Sequence, residues 1–239
     1  MSSRARMLFL AVIAVTAAAC LRLGLWQLDR LQERRAENRV AHAARSLPEV
    51  ELSGRADSAL AHRRVRATGS YDPERELVLR GQAHREEPGV LLVTPLRIRG
   101  ESLGVLVLRG FVPSPDAVTV EHSPPAEAGQ VTVHGIALPL GEREDEGGLL
   151  ERAGKGATWK GLDRSAIEAR LPYPLADVYL MQLPDSSLAA APRRIEPPAL
   201  DDGPHLSYAI QWFAFAVIAL VGAAALFGRR GSAARRVAP

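Results

Sequence analysis

The residues best suited to chemistry crowd near the two ends of the chain. Pro204 to Phe213 reads PHLSYAIQWF and opens a run, AFAVIALVGAAALFG, without a charge. Near the other end Leu23 to Arg30 reads LGLWQLDR. On a helix His205, Tyr208, Trp212 and Phe215 follow spacings of three, four and three and share one stripe, with Gln211 beside it. Trp26 and Arg30 are four apart and Gln27 is adjacent. An imidazole can ligate a metal, while glutamines at membrane depth are costly unless partnered. If a ligand binds such a group of residues, a porphyrin suits the parts: His205 as axial ligand to iron, Tyr208, Trp212 and Trp26 against the macrocycle, and Arg30 or Arg109 on propionates. The bland reading is an aromatic interface belt with a solvated histidine.

Two apolar stretches must position these residues. Met7 to Leu21, extended through Leu23, Leu25 and Trp26, holds one charge, Arg22, near its end. Leu206 to Phe227 holds none. At about 1.5 Å per residue each reaches roughly 30 Å, enough to cross a bilayer. Arg4 and Arg6 precede the first, and Arg229, Arg230, Arg235 and Arg236 follow the second. Positive flanks stay inside, so both termini are expected in the cytoplasm and the long middle segment outside it. The two polar junctions then share the outer face, and alanines such as Ala11, Ala14 and Ala18 would let the helices approach.

The resulting division is a cytoplasmic tail (1–6), transmembrane helix 1 (7–26), an extracytoplasmic domain (27–204), transmembrane helix 2 (205–227) and a basic cytoplasmic tail (228–239). The net charge of +3 and pI of 9.4 do not argue for nucleic acid, since acidic residues are interspersed through the middle and the uncompensated arginines flank the spans. The single cysteine, Cys20, excludes a disulfide framework. Thr16 to Cys20, TAAAC, loosely resembles a lipoprotein signal, which leaves a membrane-anchored binding lipoprotein as an alternative. The stretch before Met7 lacks an Arg- and Ser-rich organellar leader, so a bacterial plasma membrane is the expected home.

Within the middle segment Asp29 to Arg45 can prolong the first helix. Val65–Tyr71, Glu76–Arg80, Gly89–Ile98, Leu103–Val112, Gln130–Leu138 and Ala176–Leu183 read as strands bounded by Gly, Pro and Asp. LLVTPLRI and LGVLVLRGFV form a hairpin whose turn contains Gly100. A short helix is predicted over Asp163–Arg170, capped by Asp163 and stopped by Pro172. Segment 141–157, GEREDEGGLLERAGKGA, reads as an exposed loop. The fold class is therefore a membrane protein with two transmembrane α-helices flanking one mainly antiparallel β domain of α+β type, its sheet curled toward a barrel.

Catalytic motifs fail on context. Gly100-Glu101-Ser102-Leu103-Gly104 matches G-x-S-x-G, but a strand rather than a helix follows it, against the requirements of a nucleophile elbow. There is no HExxH, and the six histidines are scattered. No enzyme is expected.

Five blocks together carry a family resemblance: LGLWQLDRL at 23–31, GSYDP at 69–73 with ELVLR at 76–80, GVLLVTPL at 89–96, VLVLRGFVP at 105–113 and HLSYAIQWF at 205–213. Their order resembles that of the surfeit locus protein 1 family, membrane-bound assembly factors of haem-copper cytochrome c oxidase. The resemblance implies two transmembrane helices around an external domain, a role in maturing oxidase subunit I, and transient binding of haem a, with the proposed haem histidine falling on His205. Phe111 stands where the family usually has Trp, Gln32-Glu33 replaces an aromatic-lysine pair, and Asp201-Asp202-Gly203 precedes Pro204 where asparagine is frequent. The expected partners are subunit I and the lipid bilayer, with haem A synthase as a further candidate; a scaffold that steadies subunit I without haem is the alternative.

Overall fold

A computed structural model describes residues 2–53, 58–120, 122–141, 149–152, 156–197 and 199–234. It contains helices α1 (Ser3–Ser46), α2 (Arg164–Glu168) and α3 (His205–Ala234). The strands are β1 (Val50–Glu51), β2 (Arg64–Tyr71), β3 (Leu77–His84), β4 (Glu87–Ile98), β5 (Gly104–Pro113), β6 (Val131–Pro139), β7 (Leu149–Arg152), β8 (Gly156–Trp159) and β9 (Leu175–Gln182). Two compact units result: Met1–Val40 with Leu200–Pro239, and Ala41–Ala199.

The first unit is a helix pair. Both helices are long and apolar enough to cross a membrane, which fits a membrane protein. α1 continues without a break past the apolar stretch to Ser46, since the Arg-, Glu- and Ala-rich sequence after Trp26 favours helix throughout. α3 likewise runs on to Ala234, so the first residues of the expected tail are helical; Arg235 and Arg236 lie outside the described residues. On α1 the buried or half-buried positions include the series Ile13, Ala17, Cys20, Gly24, Gln27 and Leu31, with Leu28 beside it. On α3 they include the series His205, Ala209, Trp212, Ala216, Ala219 and Ala223, with Phe213 beside it. Both series alternate steps of four and three, the spacing of a left-handed helix pair with small residues at the seam. Ala11, Ala14 and Ala18 are exposed. The expected close-approach stripe is therefore rotated by about one residue, because Cys20 and Gly24 continue the phase of Ala17 and nothing equally small continues that of Ala18.

The second unit is a nine-stranded sheet in the order β1-β2-β6-β9-β5-β4-β3-β8-β7, with a further pairing between β2 and β4. That pairing closes β2, β6, β9, β5 and β4 into a barrel-like ring. β4 changes neighbours along its length: Leu91–Val93 pair with β3, and Leu96–Ile98 pair with β2. The change falls at Pro95, whose missing N–H suits a position where one ladder ends. β5 is buried on both faces, which accounts for its unbroken VLVL run. Val105 and Val107 join Val65, Ala67, Leu96, Val133 and Val178 inside the ring. Leu106 and Leu108 face outward to a second cluster with Trp159, Ile167 and Leu175.

The predicted strands and the capped helix are present to within a few residues. Asp163 accepts the Ala166 N–H at 3.1 Å, and these local hydrogen bonds hold its carboxyl below the usual range. Gly100 to Leu103 form the hairpin turn, after which Gly104 enters β5, so the G-x-S-x-G match is a turn between strands. The loop expected over 141–157 is corrected in part: Leu149–Arg152 and Gly156–Trp159 pair as β7 and β8, while 142–148 and 153–155 lie outside the described residues.

Candidate functional site

The helix pair brings together His205 and Gln27. His205 begins α3 directly after Pro204, and its Nδ1 lies 2.8 Å from Gln27 Oε1. An amide oxygen only accepts, so Nδ1–H donates, and in the neutral ring Nε2 keeps its lone pair. A hydrogen bond at one ring nitrogen that fixes the tautomer and prepares the other for a ligand is the usual support of a metal-binding histidine. Gly203 adopts φ +65°, and a Cβ there would sit 3.7 Å from Nε2. The glycine keeps that nitrogen uncovered by its own turn.

Further contacts hold the turn. Arg35 Nε donates to Asp202 at 2.8 Å, and Asn38 Nδ2 donates to the Asp201 carbonyl at 2.7 Å. Gly24 meets the Phe213 ring so closely that a Cβ would fall 2.5 Å from Cε1. Along α1 from Gly24 through Gln27 and Arg35 to Asn38, the partners run backward from Phe213 through His205 to Asp202 and Asp201, so the helices are antiparallel. The sequence reading missed Arg35 and Asn38. The signal was available, because they follow Leu31 by four and seven residues on the face that carries Gln27.

The other expected site residues are placed differently. Trp212 is half-buried, with its ring edge-on to Phe215 at 6.0 Å between centroids. Trp26, Tyr208 and Gln211 are on exposed faces. Arg30 is exposed and pairs with Glu33 at 2.6 Å. The stripe His205-Tyr208-Trp212-Phe215 is thus divided: His205 meets α1 and Trp212 is half-buried, while Tyr208 and Phe215 are exposed.

Arg109 requires a correction. It is only 1% exposed, inside the sheet unit, and donates to Glu76 Oε2 at 2.9 Å and to the carbonyls of Pro124 and Pro125. Glu76 also accepts from Thr94 at 2.6 Å and from Ser123. The Arg109 guanidinium lies 5.7 Å from the Tyr71 ring centroid. Burial, and then the Glu127 carboxylate, push the Tyr71 phenol well above its ordinary pKa. Three sequence blocks, those holding Tyr71 with Glu76, Thr94, and Arg109, therefore meet around one ion pair. That guanidinium is committed to the protein interior and is not a partner for an external carboxylate. Among the described residues no group of three His, Cys, Asp or Glu side chains could hold a metal ion, which leaves single-histidine ligation as the form of metal contact to weigh.

A chain with two helices of spanning length and, between them in sequence, a barrel-like sheet fits the class of membrane-anchored domain proteins. Residues 14–217 match the model of the SURF1 family, and the chain belongs to that family, which is generally linked to cytochrome oxidase assembly. It is 26% identical over 215 residues to a SURF1-like protein of Rickettsia felis, covering 88% of this chain and 92% of that one. An uncharacterized SURF1-like protein of Mycobacterium bovis is 28% identical over 228 residues, covering 90% of this chain and 80% of that one. A SURF1-like protein of Rickettsia bellii is 25% identical over 214 residues. These relatives suggest a bacterial origin.

Proposed function

We propose that this protein is a non-catalytic assembly factor of a haem-copper cytochrome c oxidase that binds haem a through His205 for delivery to subunit I. Its home is the bacterial plasma membrane, with both termini cytoplasmic and the sheet unit outside. The observation that carries the reading is the His205–Gln27 hydrogen bond, which presents Nε2 as a free nitrogen ligand beside Gly203. The residues fit the group at this one point: His205 would hold the iron, Gln27 would fix its tautomer, and Trp212, about two turns along the same helix, is a half-buried aromatic on the same face. When bound, haem a would supply an iron that accepts a nitrogen ligand and a broad apolar ring suited to the membrane boundary. Trp26, Tyr208 and Arg30 lie on exposed faces, where they would meet a ligand or a partner from outside the pair.

The exposed stripe of Tyr208, Gln211 and Phe215 favours a second reading, in which α3 packs against a helix of subunit I and no haem is held. The experiment is the absorption spectrum of the full-length protein purified from cells that make haem a, repeated for His205→Ala. Co-purified haem lost in the variant supports ligation. Haem retained unchanged removes His205 as the ligand, and intact protein without haem leaves the scaffold.

A further inference from the structure

We propose that the sheet unit carries a separate site, an apolar track with a cationic mouth, that takes the chain of an amphiphilic carboxylate of the fatty-acid class. Leu79, Leu91, Leu108 and Met181 line one pocket of about 440 Å³. They come from β3, β4, β5 and β9, which are consecutive neighbours in the sheet. Leu79 is directly paired with Leu91, and Leu108 with Met181. Leu91 itself pairs with Phe111 and Leu108 with Val93, so the two pairs are offset by two residues along β4 and the track crosses the sheet obliquely; four strands at about 4.8 Å spacing give it a length of at least about 14 Å, that of an extended medium acyl chain. Trp159 and Ile167 complete the outer core cluster to which Leu79, Leu108 and Met181 belong, but neither lines the pocket.

Two polar groups line the same pocket. Lys160 is exposed, and its ammonium forms no ion pair with a described residue. The Tyr179 hydroxyl bonds to no described group, and burial raises its pKa, so it stays a donor. Lys160 and Gln82 also border an adjoining opening with Asp116. That carboxylate already accepts from Ser114, Val118 and Thr119. An ammonium and a phenol are both donors, and a carboxylate is acceptor-only when ionised, so the polar end matches an anionic head and the track matches its tail.

The test is photolabelling of the full-length protein in lipid nanodiscs with a diazirine-bearing medium-chain fatty acid, the adducts being located by peptide mass spectrometry. Adducts are expected on the peptides of Leu79–Leu91, Lys160–Leu162 and Tyr179–Met181, displaced by laurate and not by methyl laurate. Lys160→Glu, a surface change that leaves folding intact, is expected to lower this labelling about tenfold, the size of one charge-assisted hydrogen bond. Tyr179→Phe gives a smaller loss. Labelling confined to α1 and α3 overturns the proposal, as does equal competition by the methyl ester or full labelling of Lys160→Glu. None of these outcomes depends on whether His205 holds haem.

Discussion

The Nδ1–H of His205 and the side-chain oxygen of Gln27 lie 2.8 Å apart, joining residues separated by 178 positions in the chain. The contact both fastens the helix pair near the start of α3 and selects the imidazole tautomer.

Replacing Gln27 therefore tests tautomer control directly. Gln27→Leu removes the acceptor and leaves both ring nitrogens free to exchange the proton, so haem affinity is expected to fall by about ten- to a hundredfold. Gln27→Glu keeps an acceptor and is expected to retain binding. Absorbance titration of the haem-free variants measures both, and an unaltered affinity in Gln27→Leu would remove the role assigned to the amide.

Gly203 offers an independent probe of access to Nε2. Asparagine tolerates a left-handed backbone better than other residues, so Gly203→Asn keeps the turn near φ +65° while placing a side chain near the nitrogen. Thermal stability is expected to change little and haem retention to drop several-fold. Equal losses of stability and binding would instead mark Gly203 as a purely structural residue.

Within the sheet unit, Arg109 and Glu76 form a buried pair, and removing one partner leaves a charge without its counterpart. Arg109→Ala is expected to destabilise the protein by about 3–5 kcal/mol. A melting temperature lowered by roughly 10 °C, at about 2–4 °C per kcal/mol for a unit of this size, checks it by calorimetry. Haem occupancy of the protein that remains folded at low temperature should be unaffected. Selective loss of haem from a stable Arg109→Ala protein would restore the propionate role that its burial argues against.

The outcome for Arg109 shows what one-dimensional sequence could and could not convey. Strand positions were readable because alternation and β-branched runs are local properties, and the hairpin turn was readable because Gly100 interrupts them. β7 and β8 were hidden because LLER and GATW are short and flanked by charge and glycine, and their ladder is with each other and with β3. The meeting of His205 with Gln27 was legible through the expectation of two spans with both termini inside, which would put both polar junctions at one face. The phase of the helix seam was not, because an alanine-rich apolar helix offers several nearly equivalent stripes and only the continuation through Cys20 and Gly24 distinguishes them. A buried arginine and a ligand-binding arginine look alike until Glu76 is brought beside one of them.

Asp116 predicts an acid-dependent effect. Its carboxylate accepts from the side chain and backbone N–H of Thr119, the backbone N–H of Val118 and the side chain of Ser114, which hold its pKa well below the ordinary carboxylate value. A depressed folded-state pKa means stability that is complete above the unfolded value, about 3.9, and is lost as pH falls through the lower folded value. Asp116→Asn removes that linkage. The variant's melting temperature should therefore approach the wild-type value as pH is lowered from 5 toward 2, the two being furthest apart near neutrality. Parallel pH profiles would show that the loop's hydrogen bonds do not favour the ionised form.

Gly24 and Phe213 test the helix seam itself. A Cβ on Gly24 would lie 2.5 Å from Phe213 Cε1, closer than carbon atoms approach, so Gly24→Ala must displace the ring or part the helices. Overpacking of this kind is expected to cost about 1–3 kcal/mol. Phe213→Ala removes the obstacle, and Gly24→Ala added to that background should cost far less, giving a coupling of at least about 0.5 kcal/mol in a double-mutant cycle. Unfolding in bicelles supplies the free energies. Disulfide formation between cysteines introduced at Gln27 and His205, with Cys20→Ser as background, reports whether the helices have parted. Additive losses would mean that these residues do not meet in the membrane, and the seam through Ala17, Cys20 and Gly24 would have to be rotated to another face.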